Sequence, residues 1–122
     1  MDAATKVMPR EGQAGAPPIE AVCPMPDIAQ IIGGKWKLII LQILIFQGMK
    51  RFNELRRQID GVTQTMLTNQ LRALERDGLV KRKIYAEVPP RVEYSATQRA
   101  LDLTTVFRAM HDWWVKGEDG AG

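Results

Sequence analysis

Between Gly61 and Gly78 the chain reads VTQTMLTNQLRALERD, and its apolar positions are spaced for a helix. At roughly 100° per residue, Leu67, Leu71 and Leu74 fall on one narrow stripe, and Thr65, Thr68, Asn69, Arg72 and Arg76 gather opposite. The spacing predicts a helix over residues 63–77 with one buried face, capped by Thr63 and ended by Gly78 as a left-handed C′ residue. Upstream, residues 35–46 are apolar nearly all round. Their isoleucines are compatible with a strand, but length and the lack of internal breakers favour a buried central helix. Ahead of it, Cys23-Pro24-Met25-Pro26-Asp27 carries the prolines of a first helical turn, followed by Ile28, Ile31 and Ile32 on one face up to Gly33-Gly34.

After Gln47-Gly48, Lys50-Arg51-Phe52 reads as a short extended piece. Asn53 is then placed to cap a helix over 54–59, with Leu55 and Ile59 inward and Arg56 and Arg57 outward. Downstream of Gly78 the period changes. Val80-Lys81-Arg82-Lys83-Ile84-Tyr85 and Arg91-Val92-Glu93-Tyr94-Ser95 are strand-like runs around a tip containing Pro89-Pro90, and four of their eleven residues are Lys or Arg. Residues 97–116 read as one last helix, capped by Ser95 or Thr97, with Leu103, Phe107, Met110 and Trp114 on a stripe widened by Ala100, Leu101 and Trp113.

The order helix, three-residue turn with Gly, helix, hairpin is that of a winged helix-turn-helix, so the expected fold is mainly α with a small β-hairpin wing. Residues 1–22 and 118–122 are expected to be flexible tails around one domain over 23–117. The last helix has more apolar surface than one small domain covers. A homodimer interface with the first helix is expected, using Ile28, Leu103, Phe107, Met110, Trp113 and Trp114.

Charge sharpens this picture. The net charge of +3 is unevenly spread: residues 35–99 hold thirteen Lys/Arg against six Asp/Glu, while residues 1–34 and 100–122 are each −2. A basic middle is what a nucleic-acid footprint produces, and an anionic membrane or acidic protein would also fit it. One cysteine excludes an internal disulfide and a cysteine metal cluster within the chain. The longest apolar run, residues 38–46, is interrupted by Gln42 and too short to span a bilayer. No secretory signal is read at the N-terminus, and a cytoplasmic location with no membrane partner is expected. A single His and no glycine-rich phosphate loop leave no enzyme, metal or cofactor constellation.

Chemistry therefore rests on the 63–77 helix and its flanks. Its outer face has Thr, Asn, Gln and Arg, which can donate to and accept from base edges. Gln64, Thr65, Thr68, Asn69 and Arg72 are the candidates for base readout, because the N-terminal half of such a helix enters the groove most deeply. Lys50, Arg51, Arg56, Arg57, Arg76, Lys81, Lys83 and Arg91 are the candidates for phosphate or minor-groove contact. Arg91 stands out beside rigid Pro89-Pro90, with an ion pair to Glu87 or Glu93 as its alternative.

The runs Cys23-Pro24, Ile32-Gly33-Gly34-Lys35-Trp36, Arg51-Phe52-Asn53-Glu54-Leu55-Arg56, Met66-Leu67-Thr68-Asn69-Gln70-Leu71-Arg72, Asp77-Gly78-Leu79-Val80 and Val88-Pro89-Pro90-Arg91-Val92-Glu93-Tyr94 together resemble the HxlR family. These are bacterial transcriptional regulators related to MarR-type winged-helix proteins, and the resemblance covers about residues 23–115. It implies a dimer paired through the terminal helices, with each protomer reading half of a pseudo-palindromic double-stranded DNA operator; a repressor is the expected role, and the sequence itself does not separate it from an activator. It also implies that Cys23 is a candidate oxidant or electrophile sensor, the alternative being a small buried hydrophobe. Trp36, Trp113 and Trp114 are candidates for a ligand cavity beside the dimer helices, and His111 reads as structural. The family's Thr-x-x-Gly-like start to the last helix is absent at Thr97-Gln98-Arg99-Ala100, which is expected to straighten that helix. A winged-helix module that binds protein instead of DNA is the competing reading.

Overall fold

The structure is a computed structural model and describes Ile19 and residues 24–120. Cys23, the expected N-terminal tail other than Ile19, and residues 121–122 lie outside the described residues. Helix α1 (Met25–Ile32) has Pro in its first turn and no buried residue. Gly33 and Gly34 separate it from α2 (Lys35–Gln47), and the two axes diverge by 73°. The Lys37 ammonium donates to the Gln30 carbonyl at 3.0 Å and bridges the bend. No single helix among the described residues is long and apolar enough to cross a membrane.

Helix α2 is the centre of the core. Ile40, Leu41, Ile43 and Leu44 are buried, with Leu38, Ile39 and Ile45 packed around them. The short extended piece forms β1 (Lys50–Arg51), which pairs antiparallel with a strand far down the chain. Helix α3 (Phe52–Gln58) begins two residues before the expected 54–59 segment, and Asn53 is not its cap. The Glu54 carboxylate accepts the Arg51 backbone N–H at 2.7 Å, so Arg51 is the N-cap position and Glu54 is in the first turn.

Gly61, at φ 83°, turns the chain into α4 (Gln64–Arg76). The Thr63 hydroxyl accepts from the Met66 N–H at 3.1 Å, as its position predicts. At the other end Gly78 has φ 79°, its N–H donates to the Glu75 carbonyl, and the Leu79 N–H donates to the Leu74 carbonyl. That is a complete Schellman ending, with Leu74 and Leu79 both buried as its hydrophobic contact. Strands β2 (Val80–Tyr85) and β3 (Arg91–Ala96) form the hairpin, and the sheet order is β1-β3-β2.

The expected single last helix is two. Helix α5 (Gln98–Leu101) is capped by Thr97, whose hydroxyl accepts from the Ala100 N–H and donates to the Gly78 carbonyl at 2.7 Å. Ser95, the alternative cap, lies within β3. The chain then turns at Asp102 and Leu103, and α6 (Thr104–Gly120) runs on. The Thr104 hydroxyl donates to the Leu101 carbonyl at 2.6 Å and Gln98 donates to the Asp102 carboxylate at 2.9 Å, so side chains stabilise the break that sequence reading had straightened. Helix α6 also continues through residues 118–120, where a tail was expected.

Candidate nucleic-acid interface

The leucine stripe of α4 is closed: Leu67, Leu71 and Leu74 are buried against α2 and the hairpin base. Fixing that face fixes the opposite one. Thr65, Asn69, Arg72 and Arg76 follow at helical spacing, and all four are exposed. Gln64 is exposed at the first turn and Thr68 is half-buried at the stripe's margin. The surface therefore offers hydroxyl, amide and guanidinium groups in one line, led by the positive end of the helix dipole. Arg76 is 3.7 Å from Asp77, which offsets part of its charge.

Around α4 the cations come from three elements. Arg56 and Arg57 are exposed in the last turn of α3. Arg51 is exposed and Lys50 half-buried on β1. In the wing, side-chain alternation separates three consecutive cations. Val80 is buried, so its face of β2 is the core side, and Arg82 and Ile84 share it; Lys81, Lys83 and Tyr85 point the other way. Lys81 and Lys83 are thus exposed on the face turned from α4, whereas Arg82 reaches α4 and lies 3.3 Å from the Glu75 carboxylate. Arg82 was not among the sequence candidates, although two-residue alternation from an apolar Val80 separates it from Lys81 and Lys83.

Arg91, expected at the wing tip as a DNA contact, is turned back on the wing. It lies 3.1 Å from Glu87 and 3.6 Å from Glu93, and its guanidinium stacks 4.0 Å from the Tyr85 ring centroid. Both carboxylates of the alternative ion-pair reading therefore lie within ion-pair distance of Arg91, although its Nε makes no hydrogen bond. Lys83 also lies over Tyr85, at 5.0 Å.

Tyr94 is at the join of helix and wing. Register places Lys50 on one side of it and Arg82 on the other, all three on one face of the sheet. Burial pushes the Tyr94 phenol above its usual 10.0; Arg82 opposes the shift, Glu75 adds to it and Arg72 opposes it. At neutral pH the phenol is therefore un-ionised, a donor beside two arginines and one carboxylate.

The opposite end of the protomer is apolar and uncovered. Ile28, Met110, Trp113 and Trp114 are exposed, and so are Met25, Val106 and Val115. Two expected members are otherwise placed. Phe107 is only 8% exposed and belongs to the protomer's own core, and Leu103 is half-buried against it. An open groove of about 530 Å³ runs between α2 and α6, lined by Leu38, Ile39, Gln42, Phe46, Phe107, Arg108, Met110, His111 and Asp112. None of the three tryptophans lines it. His111, expected to be structural, is exposed on its rim with Nδ1 3.6 Å from the Asp112 carboxylate. No cluster of metal-binding side chains occurs among the described residues.

Comparison with known proteins gives this arrangement a family. The HxlR-like helix-turn-helix family matches residues 31–119. The HTH-type transcriptional regulator YdeP of Bacillus subtilis is 52% identical over 97 residues, which are 80% of this chain and 75% of the relative. Among solved structures, the redox regulator HypR in its oxidised form is 46% identical with a TM-score of 0.70, covering 80% of this chain and 97% of that one. The reduced transcriptional regulator YodB of B. subtilis is 31% identical with a TM-score of 0.71, covering 83% and 98%. Helix pair, hairpin and sequence agree: the chain belongs to the HxlR family and is a winged helix-turn-helix transcriptional regulator, not an enzyme.

Proposed function

We propose that the protein binds double-stranded DNA as a homodimer, each protomer laying α4 into the major groove of one half of a pseudo-palindromic operator, and that it represses transcription there. The single observation that carries this reading is the exposed line Thr65, Asn69, Arg72 and Arg76 on a helix whose other face is sealed by leucines. Gln64 and Thr68 complete the base-reading set, and Lys50, Arg51, Arg56, Arg57, Lys81 and Lys83 meet phosphates. Arg91 holds the wing in shape beside them. The second copy covers the exposed Ile28, Met110, Trp113 and Trp114, a patch that one protomer leaves in water.

A duplex titration at two salt concentrations tests the reading. Neutralising six or more phosphates gives a steep fall of affinity with salt. A shallow slope, equal for selected and random duplexes, refutes DNA recognition and favours the protein-binding alternative. Light scattering at micromolar concentration must return a dimer mass.

HypR is a redox regulator, and YodB has a diamide-treated structure as well as a reduced one. By that kinship Cys23 is the group through which oxidants or electrophiles act, its thiolate being the reactive form. Cys23→Ser abolishes the loss or gain of operator binding on diamide treatment. An unchanged response removes Cys23 from the mechanism and leaves a small ligand as the effector.

A further inference from the structure

Arg82 is placed unlike the other wing cations. On the helix-facing side of β2 the residues run from Val80, 2% exposed, through Arg82 to Ile84, 59% exposed. The hairpin therefore leaves the core at Arg82. There its guanidinium meets Glu75 at 3.3 Å, and among the described residues this is the ion pair that joins α4 to the wing. Both side chains are substantially exposed, so the pair contributes little to folding. A carboxylate on a helix directed at DNA also repels phosphate, so affinity alone gives no reason for Glu75. What the pair does supply is geometry. Arg82 comes from the sheet and Arg72 from the helix, both act on Tyr94, and Glu75 stands one turn after Arg72.

We infer that Glu75 is a positioning residue for operator recognition: by holding the Arg82 side chain it sets that guanidinium beside Arg72, so that the two guanidiniums meet one half-site together. Arg82 thereby becomes a further DNA-contacting residue, with its direction imposed by the helix that reads the bases. The inference rests on the DNA-binding reading above. It predicts that loss of Glu75 frees a positive charge, which raises general affinity, while the fixed spacing is lost, which lowers discrimination.

The test uses an operator selected from a random duplex pool by the full chain, compared with a scrambled duplex at two salt concentrations. Glu75→Gln binds the scrambled duplex more tightly and with a steeper salt dependence, yet its operator-to-scrambled affinity ratio falls about fivefold. Arg82→Gln lowers the same ratio, and the double variant lowers it no further than the worse single one, because both break one contact. Exchanging the charges, Glu75→Arg with Arg82→Glu, rebuilds an ion pair but leaves the ratio low, because position 82 must present a guanidinium to the DNA as well as hold the pair. Equal gains on both duplexes for Glu75→Gln overturn the inference, since that is the signature of a carboxylate that merely repels phosphate. Additive losses in the double variant also overturn it, and need no charge-exchanged protein to fold. If the wild-type chain retains no duplex from the pool, the DNA-binding reading itself falls and this inference with it.

Discussion

Helices α4 and α6 are both amphipathic, and the protomer treats them differently. The apolar stripe of α4 is sealed along its whole length, its start is held by Thr63 and its end by the Gly78 turn. That of α6 begins sealed at Phe107 and ends in water, with Trp113 71% and Trp114 59% exposed. One helix is finished by its own chain and presents a polar line. The other outruns the core and presents tryptophans. A helix with a closed apolar face can offer only its polar side to a partner, whereas one with an open apolar face lowers its free energy by covering it. The two helices therefore offer surfaces of different chemistry, which the proposed function assigns to DNA and to a second copy of the chain.

The strongest way to break that contrast is to open the sealed stripe. Leu74→Ala removes a fully buried side chain, and the cavity costs about 2–5 kcal/mol of folding free energy. Urea unfolding followed by circular dichroism measures this, and a loss under 1 kcal/mol would mean that α4 is not sealed as described. The matching change on α6 acts on assembly instead. Trp113→Glu places a charge in the uncovered patch and weakens the dimer by about 2 kcal/mol or more, read as a rise in dissociation constant by sedimentation. Its monomer keeps wild-type helix content. A variant that instead unfolds at every concentration would place Trp113 in the core, against its exposure.

The polar line of α4 is tested by Arg72→Ala, which lowers operator affinity by about 1–3 kcal/mol and leaves affinity for random duplex nearly unchanged. Equal losses on the two duplexes would turn Arg72 from a base reader into a phosphate contact.

The contrast was partly visible in the sequence, for a physical reason. The stripe, the Thr63 cap and the Gly78 ending of α4 are local, so spacing alone located them. The two strands of the hairpin were equally local. The pairing of β1 with β3 was not, because a two-residue strand has no period and its partner lies far along the chain. The break in the last helix escaped for another reason: no Gly or Pro marks it, and hydroxyl and amide side chains hold it. At the wing the charges of Lys81, Arg82 and Lys83 were obvious, and the face each occupies followed only from the burial of Val80. Sequence likewise offered Arg91 a choice between DNA and its own carboxylates, and only the folded hairpin shows how near Glu87 and Glu93 lie to it.

The smallest expected effect concerns the join between α4 and the wing. Burial holds the Tyr94 phenol above its usual 10.0, with Glu75 reinforcing and both Arg82 and Arg72 opposing. A raised pKa means that the folded state favours the protonated phenol. Tyr94 therefore contributes stability that is fully present below its unfolded value and is lost as pH rises through its folded value. Wild-type protein should lose stability above pH 10.0 more steeply than Tyr94→Phe, which has no phenol to ionise. Arg82→Gln removes an opposing charge, lifts the folded pKa further and should steepen the wild-type decline. The patch at the end of α6 has no part in this, so Trp113→Glu should follow the wild-type alkaline slope. Urea unfolding at a series of alkaline pH values measures all four proteins, and parallel curves for wild type and Tyr94→Phe would show that Tyr94 is not buried at the join.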